Sequence, residues 1–485
     1  MNPIYIPAAG ALAVLAFDLV SRSTPSESEA PRANALSGIR FGSIALLAFA
    51  AVLVSLRSRE SEIDAFGTFG IVFVIAAGFL VLSLSLTHFG MARSRPAEPI
   101  ALLLFSLSGM AAAIMTNHLL VLMIAIELAW LPTIALISID SRRLSSSESS
   151  LKAFFAHAFA SVIFAHGVAF LFGATGGLTF SSLGEVSVVR PLLFDVGVTL
   201  VIVGLIARAA IAPFHPWSPD VHEGAPSFVT THIVTALQAT TFFILLRMLH
   251  ALAPVGSEVG SEIAARVPGL LAILGCLGLA WGHAMALVQV GLRRLVGWLG
   301  VGQVGFFTLA LVDAPGEGGD ALLLALFASG VSAAGVLAIL SSLSHHERAC
   351  EHVGDLSGMM QRSPIRAALL ALFLLSLGGF PGTIGFVARV EILAALEHSG
   401  HRMLMVAGLA ATALALTAVG RPLLAILRPI EVKSAASRAL TNEQLVLAIC
   451  GFCVVYFGIA PVVSFGGIAA LFFDWIDAAI VSLRA

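Results

Sequence analysis

Charge is what this chain has least of. Only 11% of its 485 residues are Asp, Glu, Lys or Arg, 58% are hydrophobic, and the mean hydropathy is +0.99. That balance excludes an ordinary soluble domain, in which roughly a quarter of the residues are charged. A formal net charge of −2 and the lack of a basic tail exclude a nucleic-acid partner. Cysteine is scarce too, at Cys276, Cys350, Cys450 and Cys453, so no disulfide framework is expected. Cys450-Gly-Phe-Cys453 has C-x-x-C spacing but lies in an apolar run without a βαβ context, and it reads as buried helix packing. Zinc signatures, P-loops, G-x-G-x-x-G and G-x-S-x-G are missing as well. No catalytic, cofactor-binding or metal-binding residues are therefore expected, and any redox chemistry belongs to partners.

What the sequence does contain is a series of apolar runs long enough, or nearly so, to cross a bilayer. They cover residues 4–20, 41–56, 66–86, 100–115, 119–139, 153–172, 194–212, 228–249, 270–290, 295–312, 321–343, 365–396, 403–419 and 445–463. The expectation is an all-α polytopic membrane protein of about 14 transmembrane helices. Met1-Asn-Pro-Ile has no basic n-region and no cleavage site ends the first run, so that run reads as a retained helix. Loops after odd-numbered helices hold 17 Lys and Arg residues against 7 on the other face, which predicts both termini on the non-cytoplasmic side. The connections, the Ser/Glu-rich stretch 141–150 among them, read as short solvated loops.

Two spans are interrupted. In the seventh, Arg208 precedes Pro213 by five residues, and Pro213 lacks an N–H and clashes with the preceding turn. In the twelfth, Leu377-Gly-Gly-Phe-Pro-Gly-Thr383 is followed by Arg389, eight residues after Pro381. Interrupted helices at matching places, each beside an intramembrane charge, are the mark of an internal repeat built around ion sites. Five helices per unit makes the units inverted. The expected division is 1–98 (helices 1–3), 99–252 (first repeat, helices 4–8), 253–426 (second repeat, helices 9–13) and 427–485 (helix 14 and an amphipathic tail).

Glu127 sits roughly 12 Å along the fifth helix, near the midplane, where a charge must have a partner or water. It reads as part of an ion path or as a structural ion pair. Arg208 and Arg389 are equally deep and hold their protons, so they are fixed charges, either along such a path or in a permanent pair or carbonyl clamp. His215 and His232 flank the first break and are candidate proton carriers. His157, His166 and His283 read as hydrogen-bonded packing residues, His345-His346-Glu347 with His352 as a solvated loop, and Asp220 and Glu223 as loop anchors near a helix N-terminus.

At these residues the chain resembles the antiporter-like membrane subunits of respiratory complex I, the NADH-quinone oxidoreductases, and its N-type branch most. The matching stretches are Asn117-His-Leu-Leu with Ile126-Glu127-Leu, Phe172-Gly-Ala-Thr-Gly176, Pro213-Phe-His-Pro-Trp-Ser-Pro-Asp-Val-His-Glu-Gly-Ala-Pro226, residues 287–305, Leu375-Ser-Leu-Gly-Gly-Phe-Pro381 and Phe457-Gly-Ile-Ala-Pro461. The resemblance implies two inverted five-helix repeats, half-channels at the breaks and a central polar axis that moves protons when quinone is reduced elsewhere in the complex. It places NADH, FMN, Fe–S clusters and quinone in partner subunits, with M-like and K/J-like membrane neighbours in a cell inner membrane. Arg208, Gln238 and Arg389 stand where that family usually has lysine, and Gln303 where histidine is common. The implied proton path is Glu127, Arg208, His215, His232, Gln238, Gln303 and Arg389. The alternatives are a non-pumping structural subunit of the same complex, and a subunit of a cation/proton antiporter or membrane-bound hydrogenase.

Overall fold

A computed structural model describes residues 6–23, 64–92, 97–140, 143–184, 191–252, 258–344, 351–429, 441–463 and 467–484. Every named element in it is helical. Among the described residues, ten helices are long and apolar enough to cross a membrane, from Ala65–Ser85 to Glu443–Pro461. Ile6–Ser23 matches the first apolar run. The seventh and twelfth spans are each split in two, as Pro191–Arg208 with Trp217–Gly224 and as Pro364–Gly378 with Ile384–His398. The second run, 41–56, lies outside the described residues, as do His345, His346 and Cys350.

The helices are apolar nearly all round, so burial sorts inner from outer ones. Ser227–Leu252 and Leu292–Asp313 are 94% buried and Gly318–Leu343 is 89% buried, whereas Arg402–Leu427 is 28% buried and Leu144–Thr175 is 33%. The eighth, tenth and eleventh spans therefore form the interior, against which the breaks rest. The fifth and sixth spans turn Leu120, Ile124, Leu128, Leu131, Phe155 and Phe159 outward.

One backbone detail recurs along the chain. Just before the fifth span, His118 pairs with Thr179 as an isolated antiparallel bridge, with Leu119 N–H donating to Leu178 O (2.8 Å) and Phe180 N–H to Asn117 O (2.8 Å). Just before the tenth, Gly291 pairs with His352, with Leu292 N–H donating to Glu351 O (2.9 Å) and Val353 N–H to Val290 O (2.9 Å). The two bridges are five spans apart. With five crossings between them, an inverted arrangement of units would put them on opposite faces.

Of the Ser/Glu-rich stretch 141–150, residues 144–150 are helix rather than a solvated connection, and residues 141–142 lie outside the described residues. Residues from Leu144 onward are the first turns of helix Leu144–Thr175, and Ser146 and Ser149 are buried. Ser146 Oγ donates to Ile137 O (2.6 Å) and Ser150 Oγ to Ile134 O (3.1 Å), so these hydroxyls satisfy carbonyls that the fifth span leaves open at its C-terminus. Asp220 and Glu223 likewise stand on a helix, the second half of the seventh span, rather than in a loop. They are anchored all the same: Asp220 pairs with Lys152 (2.6 Å) and Arg294 (2.9 Å), and Glu223 with Arg294 (2.9 Å). The tail forms helix Ile468–Arg484, whose Ala469, Ile476, Ala479 and Ile480 are buried, with Trp475 edge-on to Phe69 of the third span at 4.8 Å. Cys450 and Cys453 are free thiols within helix Thr441–Val463.

Candidate functional site: charge at two broken helices

The first break follows from Arg208 onward. Helix Pro191–Arg208 ends there, Ala210 takes φ 68°, a left-handed backbone that alanine adopts at a cost, and helix resumes only at Trp217. Arg208 is 1% exposed. A charge so buried needs compensation, and Glu127 of the fifth span supplies it: Arg208 Nη2 lies 2.9 Å from Glu127 Oε1. Ser161 of the sixth span stands between the two, with Oγ 2.7 Å from Arg208 Nη2 and 2.5 Å from Glu127 Oε1. The sixth and seventh spans come close enough for so short a side chain because of Gly204. A Cβ there would sit 2.8 Å from Phe164 N, one turn from the Ser161–Arg208 contact. The Glu127 side chain keeps 32% exposure at the edge of the outward apolar face.

Gln238 joins this group through the backbone. Its Nε2 donates to Ala209 O (3.2 Å), a carbonyl at the broken end of the helix. A five-residue π-helix, Ile233–Leu237, immediately precedes it, and such bulges concentrate at functional sites. His232, one residue before the bulge, reaches the fourth span instead. Its Nε2 is 2.9 Å from Ser106 Oγ, which donates to Ala129 O of the fifth span (2.7 Å). His215 packs against the rings of Trp298 and Trp281, with centroids at 5.2 and 5.9 Å.

At the second break the charge has a different solution. Arg389, 4% exposed, reaches back from helix Ile384–His398 to the end of the preceding half. Its Nη1 donates to Gly378 O (2.7 Å) and its Nη2 to Leu377 O (2.6 Å), and the guanidinium lies 4.7 Å from the Phe306 ring centroid. A cation at a helix C-terminus is favoured by the unpaired carbonyls and the dipole. Gln303 Nε2 donates to the same Leu377 O (2.9 Å). Gly379 has φ 80°, and a Cβ there would meet Arg389 Cδ at 2.7 Å, so both backbone and space require glycine. A cavity of about 10 Å³, lined by Gln303, Phe306, Ser329, Ser376 and Arg389 among others, adjoins the guanidinium. That is room for about one water.

The structure thus brings Glu127, Arg208 and Gln238 together at the first break and Gln303 and Arg389 at the second. His232 lies one polar contact away from the fifth span, and His215 sits in an aromatic nest of its own. Among the described residues no side-chain hydrogen bond links the two groups, and no trio of His, Cys, Asp or Glu could hold a metal ion. Ser161 is the residue that sequence reasoning missed, because a single serine in an apolar helix carries no pattern. His157, one turn earlier, is buried as a packing residue: its Nδ1 is 2.7 Å from Ala153 O and its ring lies between Trp130 and Trp217. His166 is exposed on the outer face.

Residues 116–415, which contain both breaks, match the family model described as NADH:quinone oxidoreductase/Mrp antiporter, TM. The chain belongs to that family. Among its relatives, the NADH-quinone oxidoreductase subunit N of Myxococcus xanthus is 30% identical over 499 residues, covering 95% of this chain and 94% of the relative. The subunit N of Deinococcus radiodurans is 31% identical over 409 residues, covering 82% and 80%. In fold, this family member matches a chain of respiratory complex I from Thermus thermophilus with bound aureothin, with a TM-score of 0.77, 24% identity and coverage of 95% and 97%. It also matches a chain of the Mrp complex from a Dietzia species, with a TM-score of 0.82, 17% identity and coverage of 99% and 97%.

Proposed function

We propose that this chain is the proton-translocating, antiporter-like N-type membrane subunit of a complex I-like NADH:quinone oxidoreductase, coupling quinone reduction elsewhere in the complex to proton transport. The observation that carries the reading is the Glu127–Ser161–Arg208 cluster: a carboxylate in mid-span, one-third exposed, tied to a guanidinium where a helix breaks. The division of labour follows from the side chains. Glutamate can take and release a proton, whereas arginine keeps its own and acts as a fixed charge that sets the local field. Arg389, held by carbonyls and a ring, is the corresponding fixed charge at the second break. In this reading the path runs through Glu127, Arg208, Gln238, Gln303 and Arg389, with His232 held beside the fifth span by Ser106, which donates to Ala129 O, and His215 on the loop of the first break. Pro213 and Pro381 keep the two helices open.

The same reading assigns 99–252 and 253–426 to two inverted repeats, with 1–98 and 427–485 flanking them, supported by the paired bridges at His118 and Gly291. NADH, FMN, Fe–S clusters and quinone belong to partner subunits, and M-like and K/J-like subunits are the membrane neighbours. The subunit sits in the cell inner membrane with both termini away from the cytoplasm, a placement supported by the 17-to-7 asymmetry of Lys and Arg. A second reading, a structural subunit that does not pump, is favoured by one observation: Gln238 and Gln303 both serve as donors to break carbonyls, a purely structural task.

Affinity purification of the tagged chain from its native membrane tests the assignment. Co-purifying NADH:quinone oxidoreductase activity, with NADH-driven acidification of reconstituted vesicles, is the expected result. Sodium–proton exchange by the purified material without any redox partner would instead place the chain in an antiporter.

A further inference from the structure

We infer that Ser161 is a positioning residue for Glu127, a hydroxyl rotor that lets the carboxylate gain and lose a proton while its pair with Arg208 stays closed. The inference rests on the reading of Glu127 as the proton-carrying group. Ser161 Oγ has three polar neighbours: Glu127 Oε1 at 2.5 Å, Arg208 Nη2 at 2.7 Å and the His157 carbonyl at 2.8 Å. A hydroxyl offers one proton and two lone pairs. Arg208 can only donate, so it takes a lone pair. One proton then remains for two acceptors, and the hydroxyl serves them one at a time.

With Glu127 ionised, Ser161 donates to the carboxylate and keeps a lone pair in reserve. With Glu127 protonated, the carboxylic O–H donates into that lone pair, and the serine proton turns to the His157 carbonyl. No covalent bond to Ser161 Oγ forms or breaks in either direction. The proton on Glu127 arrives from and departs to the transport path, and the serine keeps its own. Ser161 Oγ and the Glu127 oxygen that faces it keep a mutual hydrogen bond in both states, which avoids the penalty of an unpaired donor or acceptor at that contact.

The surroundings hold the rotor in place. Gly204 against Phe164 sets the close approach of the sixth and seventh spans one turn away, and His157 is packed against Trp130 at a centroid distance of 3.7 Å. Alanine at position 161 would leave the helices where they are and remove only the oxygen.

The test uses the assembled complex carrying Ser161→Ala, Ser161→Thr or Glu127→Gln. Ser161→Ala should keep uncoupled NADH:quinone reductase activity but slow coupled proton pumping about ten-fold, the factor carried by one hydrogen bond to a charged group. Ser161→Thr, which restores the hydroxyl, should restore the rate. The infrared C=O band that disappears in Glu127→Gln should move in Ser161→Ala and return in Ser161→Thr. A wild-type rate and an unmoved band in Ser161→Ala, with pumping stopped in Glu127→Gln, would overturn the role of Ser161 and spare that of Glu127. Normal pumping in Glu127→Gln would overturn both. If Ser161→Ala does not assemble, Ser161→Cys, a weak donor of similar size, must show the moved band, and an unmoved band there would overturn the inference.

Discussion

Removing Glu127 alone should harm this protein more than removing Glu127 together with Arg208. The Arg208 side chain is 1% exposed and holds Glu127 Oε1 at 2.9 Å and Ser161 Oγ at 2.7 Å through a single nitrogen, while Nε and Nη1 are buried without a protein partner. Glu127→Leu strips the counter-charge and leaves a guanidinium facing one serine hydroxyl. Breaking a buried pair from one side costs roughly 3–5 kcal/mol, whereas replacing both partners by apolar groups of similar size is often neutral. Because the Glu127 side chain is 32% exposed and Ser161 remains, the low end applies: about 3 kcal/mol for Glu127→Leu, and within ~1 kcal/mol of wild type for Glu127→Leu/Arg208→Met. The assay is a double-mutant cycle on the purified complex, following thermal loss of this subunit, with all variants compared at one protein and detergent concentration. A double variant as labile as Glu127→Leu would refute the reasoning, because it would mean that the geometry around Arg208 matters rather than its stranded charge.

Three further expectations follow from the same contacts. Gln238→Leu leaves Ala209 O without its donor and should cost about 1–3 kcal/mol, while Gln303→Leu should cost less than about 1 kcal/mol because Arg389 still serves Leu377 O at 2.6 Å; thermal melts of the two variants side by side measure the difference. Gly379→Ala should destabilise more than Gly382→Ala in the same melts. Both glycines have positive φ, a cost of roughly 1–2 kcal/mol for alanine, but only at Gly379 does the added carbon also meet Arg389, at 2.7 Å. Asp220→Asn loses pairs with Lys152 and Arg294, whose side chains are 44% and 37% exposed, so the loss should be no more than about 1 kcal/mol and should shrink when the melt is repeated at high salt.

The broad architecture was open to reading because the physics is crude at that scale. Some twenty apolar residues in a row have few fates other than a membrane helix, and the Pro and Gly residues at 213 and 379–382 cannot continue one. Glu127, Arg208 and Arg389 stood out one by one because each is costly alone. Their partners did not, since the Glu127–Arg208 contact joins residues 81 apart and Ser161 enters from a third helix. Gln238 and Gln303 were marked by their positions, but their bonds to break carbonyls depend on where the chain leaves helical geometry, which no local pattern states. The serines at 145–150 misled for a related reason. Their weak helix preference was overruled by carbonyls of the fifth span that needed donors.

The central claim is that a proton resides on Glu127 during each turnover, beside a positive charge that never leaves. Counting protons pumped per NADH oxidised, in inverted membrane vesicles whose complex carries Glu127→Gln, tests it most directly. The account predicts a ratio below that of wild type with the complex intact and its uncoupled NADH oxidation preserved. A ratio equal to wild type would contradict it.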